Sequence, residues 1–406
     1  MKLLRLPRSK VRLGEPLPWN VRDETTRLLL SRGHVVEDEA MLDELLQRGA
    51  FVDIEEARAV ALWEKQQAEQ EHSTLSALQR APNMFGNWDA SAEELHKLMG
   101  KLPQAPVRPE EIAAFAAWII DLVDKNVDVA LYHMVRQENA HLFYYGYNHA
   151  IHTAVLCLLL ARRLHWPEGR MRSLIHAALT MNMAVLQLQG KMAEQDEPMR
   201  ESQKAQIRQH PRLAVEWLTQ AGVKDADWLT AVAQHHERAD GTGYPEGRTE
   251  IAEIAVALRV ADVFMAKISQ RKLRSPLTIQ EAARQLFRED HGGPLSSAVI
   301  KEFGLYPPGE VVQLASGEIG VVVHRTDNVK SPIVAAITDS MGNATVHTVT
   351  RDTSQAAYAI TGSVADKSQV ARMPPERVYG YGNLPPSDAA DQNAPTGAGG
   401  THPSAV

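Results

Sequence analysis

From residue 109 to about residue 304 the apolar residues hold a helical period almost without interruption. Ile112, Phe115, Ile119 and Leu122 recur on one face, and so do His152, Val155, Leu159 and Leu160. Steps of three and four residues bury one stripe of a helix, whereas a strand alternates its side chains. A run of this length predicts a bundle of roughly six to eight helices. Thr278 with Glu281 predicts one capped helix start inside it. The period stops at Tyr306-Pro307-Pro308-Gly309. Beyond it, Val311-Val312, Gly320 to Val323, Ile333 to Ile337 and Ala344 to Val349 predict short strands, with turns at Ser316-Gly317 and Met341-Gly342-Asn343.

The expected architecture is mainly α, with a small mixed module before the bundle and a small β domain after it, over residues 306–352. In residues 1–60, Gly14, Pro16, Pro18 and Gly33 punctuate short apolar runs, and Glu37 to Gln47 has helical spacing. Asp53 and Glu56 resemble a capping box that opens a connector helix through about Gln70. Residues 71–107 are polar and broken by Pro82, Gly86, Gly100 and Pro103, which puts a boundary near 100–108. The N-terminal module then spans 1–100 and the helical domain 108–304. From Gly380 the chain is rich in Pro, Gly, Ala and Ser, with Asp388 and Asp391 as its only acidic residues and no Lys or Arg, so 380–406 is expected to be a disordered tail.

Lys and Arg total 43 against 50 Asp and Glu, a net charge of -7 over 406 residues. That balance argues against a coat for DNA or RNA. The single cysteine, Cys157, excludes an internal disulfide framework and sits in an apolar run, as a packed thiol would. No run reaches the ~18 apolar residues a membrane helix needs. Arg5, Arg8 and Lys10 occupy the place of a signal peptide's apolar core, so a cytoplasmic protein is expected.

The densest chemistry is His235-His236-Glu237-Arg238-Ala239-Asp240-Gly241-Thr242-Gly243-Tyr244-Pro245. Adjacent histidines stand about 100° apart on a helix, and at a helix end both can aim at one cavity. Two glycines and a proline then predict a rigid loop carrying a tyrosine. Read alone, this is a polar helix end and a turn. His210-Pro211 lies one helix earlier, and Asp262 closes an apolar run one helix later. A buried carboxylate is costly unless paired or bound to metal. His152 lies on the apolar face of an earlier helix. Each of these alone reads as a satisfied core residue, but together they read as ligands that suit Fe, Mn or Zn. His149, three residues before His152, reads as a surface or supporting residue. No P-loop or nucleotide-binding βαβ unit is present.

These motifs, in this order over residues 148–304, resemble the HD-GYP domain, the helical phosphodiesterase domain of bacterial cyclic di-GMP hydrolysis. The resemblance rests on His235-His236-Glu237, Asp240-Gly241 and Gly243-Tyr244-Pro245, and extends to His152-Thr153, His210-Pro211, Arg259, Asp262, Arg271 and Arg274. It implies an HD-type helical bundle, with His152, His210, His235, His236 and Asp262 at metal-ligand positions. It implies substrate contacts from Gly243, Tyr244, Pro245, Arg259, Arg271 and Arg274. In active members two or three metal ions activate a water that attacks the phosphodiester, giving linear dinucleotide or GMP.

The chain departs from that pattern where the paired His-Asp should fall, which here reads Met181-Asn182. Asn182 is a neutral ligand that cannot supply a bridging charge, and Met181 suits a hard metal poorly. The catalytic lysine position reads Val185, a glutamate position reads Asn148, and an aspartate position reads Met265. The expected centre is thus a half-site of His210, His235 and His236 with Asn182 nearby, holding one divalent ion or none, Fe or Mn ahead of Zn. No catalytic residue is assigned. The expected function is binding of cyclic di-GMP or a signalling partner, such as a diguanylate cyclase domain, with reduced or no hydrolysis. An active phosphodiesterase and a purely structural interaction module are the alternatives, and a homodimer is left open.

Overall fold

The computed structural model describes residues 2–11, 13–14, 17–58, 60, 84–100, 102, 104, 107–137, 142–364, 370 and 373–380. The tail from 381 and residues 61–70 of the expected connector helix lie outside them. The chain divides into two compact units, Met1–Arg80 and Ala81–Val406.

The first unit is an antiparallel sheet with one helix. Its strand order is β1 (Leu3–Arg5), β4 (Phe51–Asp53), β2 (Val21–Arg22), β3 (Leu28–Leu30). Helix α1 (Glu39–Gln47) starts where the Asp38 carboxylate accepts the Met41 N–H at 2.8 Å. Its Leu42 and Leu45 join Leu6, Trp19, Val21 and Val52 in a small core.

The second unit opens with α2 (Met84–Met99), whose Phe85, Trp88, Leu95 and Met99 are buried in the bundle's core. The boundary expected near 100 therefore lies earlier, since this helix is amphipathic and spends its apolar face on the bundle. Ten α-helices follow between Pro109 and Phe303 among the described residues, more than the six to eight expected. They are α3 (Pro109–Lys125), α4 (Val127–Arg136), α5 (Tyr145–Arg163), α6 (Glu168–Thr180), α7 (Leu186–Glu194), α8 (Glu201–Gln220), α9 (Ala226–Gln234), α10 (Glu253–Ile268), α11 (Ile279–Glu289) and α12 (Pro294–Phe303). The apolar period runs across breaks that it cannot reveal. Asn126 ends α3 in extended geometry, and its side chain accepts the N–H groups of Asp128 and Val129 to start α4. Thr278 caps α11 through the Glu281 N–H, as its spacing predicts.

Helix α5 is the axis of the bundle and is buried on nearly all sides, from Tyr145 to Ala161. After α12, Gly304 at φ 67 turns the chain toward a five-stranded antiparallel sheet. Its order is β8 (Ala344–Asp352), β7 (Ile333–Thr338), β6 (Ile319–His324), β5 (Val311–Leu314), β9 (Ile360–Ser363). The sheet thus runs past the expected end at 352, because β9 returns to pair with β5. A last turn of helix, α13 (Pro375–Val378), packs with the β domain's core, which also takes in Tyr132 of α4. No described helix is long and apolar enough to cross a membrane.

An ionic network joins sheet to bundle. Arg325 donates to the Asp128 carboxylate at 2.6 Å and to the Glu302 carbonyl at 2.9 Å, and Arg163 bonds Glu302. Burial works against ionised Asp128, but bonds from His324 and Arg325 and the arginine's charge outweigh it, so its pKa lies below 3.8. A depressed carboxyl pKa stabilises the fold above the unfolded value, and that contribution is lost as pH falls through the folded one. Asp128→Asn should cost about 1–3 kcal/mol at pH 7. In urea titrations the gap between Asp128→Asn and the parent protein should shrink below pH 4, and a gap that persisted there would contradict this account.

Candidate metal centre

Three histidines meet where the middle of α8 passes the end of α9. Their reachable ring nitrogens all lie within 4.8 Å of one another: His210, His235 and His236. The sequence explains why the rings point this way. Pro211 sits inside α8 and has no N–H to give the Ile207 carbonyl four residues back. The His210 Nδ1 takes that carbonyl instead, at 2.6 Å. His235 closes α9, where carbonyls lack helical partners, and its Nδ1 bonds the Val232 carbonyl at 2.7 Å. A carbonyl only accepts, so each Nδ1 carries the proton and each neutral ring presents a bare Nε2. The two Nε2 atoms face each other at 3.1 Å.

Two facing lone pairs repel unless a cation lies beside them. A proton is a poor candidate here. Burial, and then the neighbouring His235, pushes the His210 pKa down to about 3, and burial lowers His235 as well. His236 is pushed well below its ordinary value, by burial first and then by His235. Three neutral imidazoles with converging lone pairs fit a transition-metal ion.

The loop after α9 holds the third ring. Tyr244 stacks on His236 with centroids 4.5 Å apart and planes at 25°, and its N–H bonds the His236 carbonyl at 3.2 Å. Buried Glu237 accepts the N–H groups of Glu246 and Arg248 at 2.8 and 2.9 Å, which pins the far side of the loop. Gly243 is required by space, because a Cβ there would lie 2.4 Å from the Arg238 nitrogen. Asp240 folds the exposed tip by accepting from the Thr242 N–H and hydroxyl.

Opposite the histidines stands Asp262 of α10. The His149 Nε2–H donates to its Oδ1 at 2.7 Å. Burial opposes its ionisation, but this bond and the nearby imidazoles outweigh burial and hold the carboxyl well below its ordinary range. Tyr145, one turn before His149, stacks parallel to it at 5.9 Å and bonds the Arg271 guanidinium. Together Tyr145, His149, Asn182, His210, His236, Tyr244, Asp262 and Arg271 line a cavity of about 210 Å³, whose remaining walls include Met192, Met199 and Ile207.

The sequence expectations divide accordingly. His210, His235, His236, Asn182, Asp262, Tyr244 and Arg271 are brought to one site. His152 is not. It faces a separate cavity of about 250 Å³ with Trp88, His133 and Asn148, and burial drives its pKa down to about 3. His149 takes the place expected for His152, and Tyr145 stands on the cavity face where Asn148 was expected. Both errors are the same three-residue slip, on a helix whose faces are all buried. Arg259 is half-buried outside the cavity lining, and Arg274 donates to the Ala266 carbonyl. Gly243 and exposed Pro245 shape the loop without lining the cavity. Met181 is fully buried in the apolar core, as is Met265, and Val185 is buried at the start of α7.

Comparison with known proteins places this site in context. Residues 127–291 match the family described as HD domain. The chain is 29% identical over 185 residues to the cyclic di-GMP phosphodiesterase PA4108 of Pseudomonas aeruginosa, covering 45% of each. It is 40% identical over 70 residues to a cyclic di-GMP phosphodiesterase of Thermotoga maritima, 17% of this chain and 18% of that protein. It is 28% identical over 134 residues to the cyclic di-GMP phosphodiesterase response regulator RpfG of Xanthomonas campestris, 32% of this chain and 35% of that protein. The chain thus spans less than half the length of each relative. The helical region of this chain, residues 127–291, is thus similar to HD domains, and its motif order and bundle agree with that likeness.

Proposed function

We propose that this chain is a cyclic di-GMP receptor of the HD-GYP type that holds one transition-metal ion on His210, His235 and His236 and hydrolyses the dinucleotide slowly or not at all. The metal reading rests on the two bare Nε2 atoms 3.1 Å apart. The reading of weak hydrolysis rests on the carboxylates. Asp262 is the only one among the described residues lining the cavity, and its Oδ1 is engaged by His149. Asn182, neutral, stands where a bridging charge was expected.

When bound, such an ion would polarise a phosphoryl oxygen or a water beside it. The chain's own residues do the rest. Tyr244 holds the His236 ring by stacking, Glu237 holds the loop that carries Tyr244, and Met192, Met199 and Ile207 give a dry wall against which bases can pack. Fe(II) or Mn(II) is the ion the resemblance favours, although an all-imidazole set also accepts Zn(II). Signal output would pass through the exposed loop from Arg238 to Arg248, with a diguanylate cyclase domain as the partner implied by the resemblance. A second reading, an active metal-dependent phosphodiesterase giving linear dinucleotide or GMP, is favoured by the His149–Asp262 pair beside the histidines.

Metal analysis after anaerobic loading with Fe(II), Mn(II) or Zn(II) should find one ion per chain, lost in His235→Ala and kept in His152→Ala. Two ions, or loss in His152→Ala, would sink the half-site. Pro211→Ala returns an N–H to the Ile207 carbonyl and should weaken metal affinity by about tenfold. Calorimetry should detect cyclic di-GMP binding, while chromatography finds little linear dinucleotide or GMP. Asn182→Asp should raise turnover by at least about tenfold by restoring a charged ligand. Rapid hydrolysis by the parent protein would overturn the receptor reading in favour of the enzyme.

A further inference from the structure

Tyr145 and Arg271 are joined more closely than packing requires. The Tyr145 hydroxyl oxygen accepts from Arg271 Nε at 2.9 Å and from Nη2 at 2.6 Å. The guanidinium carbon also lies 4.9 Å from the Tyr145 ring centroid. Arg271 itself is pinned by a backbone bridge to Arg274, with both N–H···O bonds at 3.2 Å, and its neighbour Lys272 ties the segment to the Ala193 carbonyl at 2.9 Å. The charge is therefore held in place from both ends.

The valences left over point to a ligand. A phenol oxygen has two acceptor positions and one proton, and Arg271 takes both acceptor positions. No described residue accepts the Tyr145 proton. Arg271 keeps N–H groups beyond the two it gives to Tyr145, and no described carboxylate forms an ion pair with it. Tyr145 is only 3% exposed, and both residues line the cavity that holds His210, His236 and Asp262. A cation without a counter-ion and an unspent hydroxyl donor, side by side in one cavity, favour an anion with several oxygens.

We infer that the Tyr145 hydroxyl touches one phosphate of the bound nucleotide directly and forms a two-pronged anion clamp with Arg271, whose substrate contact the resemblance already implies. The inference rests on the proposed reading of the cavity as a phosphodiester site. The Tyr145 ring is parallel to His149 within 5°, one helical turn away, so the clamp sits on the same face of α5 as the Asp262 pair. Phosphate held there lies beside the histidine cluster and leaves the apolar wall to the bases.

The test is calorimetric titration of the metal-loaded full chain with cyclic di-GMP and, in parallel, with inorganic phosphate. Tyr145→Phe keeps the ring, its stacking and its contact with the guanidinium face, and removes only the hydroxyl. It should weaken cyclic di-GMP binding by about tenfold, with the metal content unchanged. Arg271→Met should weaken it at least as much. The double variant should be weaker than Arg271→Met alone, since the Tyr145 hydroxyl makes its own contact with the phosphate; a Tyr145 that only positioned Arg271 would cost nothing further once the guanidinium is gone. Binding of cyclic di-GMP that Tyr145→Phe leaves unchanged would overturn the clamp and leave the receptor reading intact. Binding of phosphate but not of cyclic di-GMP, weakened in Tyr145→Phe, would support the clamp and overturn the receptor reading. Binding of neither would overturn both.

Discussion

The Nε2 atoms of His210 and His235 face each other across 3.1 Å, and the backbone carbonyls bonded to each Nδ1 favour the tautomer that leaves both Nε2 atoms bare. Much of the surrounding structure serves to hold that unfavourable pair. Pro211 frees one carbonyl and the end of α9 frees another, and each fixes a tautomer. Asp225 caps α9 through the Trp228 N–H and accepts from Ser173 of α6. Trp228 in turn bonds the Thr180 hydroxyl at 2.8 Å. Helices α6 and α9 are thereby locked together beneath the histidines, and the turn carrying Asn182 follows directly from α6. Burial keeps the imidazoles neutral, so the energetic demand of the site is for a cation other than a proton.

Charge is arranged asymmetrically around that demand. One side of the cavity offers only neutral nitrogen. The other offers one carboxylate, Asp262, already bonded to His149, and one guanidinium, Arg271, held by a phenol. That single carboxylate is the observation behind the proposed reading of the cavity as a binding site more than a centre for several ions. The buried Met181 shows how the change was absorbed: its side chain went into the apolar core, which accepts a flexible thioether readily.

Helix α5 divides two polar cavities, and its burial on all sides is what made it hard to read. Its neighbours Tyr145 and His149 serve one cavity, and Asn148 and His152 serve the other. An amphipathic helix declares its face through its polar stripe, but a helix buried all round has none. The histidine spacing could therefore be matched to the family pattern three residues out of register. By contrast α8, α9 and the following loop were legible, because Pro211, the paired histidines and the Gly-Tyr-Pro turn each have a local geometric consequence. The surplus of helices has a similar origin. Caps such as Asn126 break the backbone without breaking the apolar period.

By itself the sequence determined the division into mixed, helical and β segments, the place of four of the five strands after residue 306, and the cluster of His210, His235 and His236. These follow from periodicity and from short-range backbone chemistry, which act over a few residues. Only the tertiary structure decided that His149 and not His152 meets Asp262, that Tyr145 holds Arg271, and that Met84–Met99 packs within the bundle. Those pairings join residues far apart in the chain, and they depend on which side of a wholly buried helix faces which neighbour.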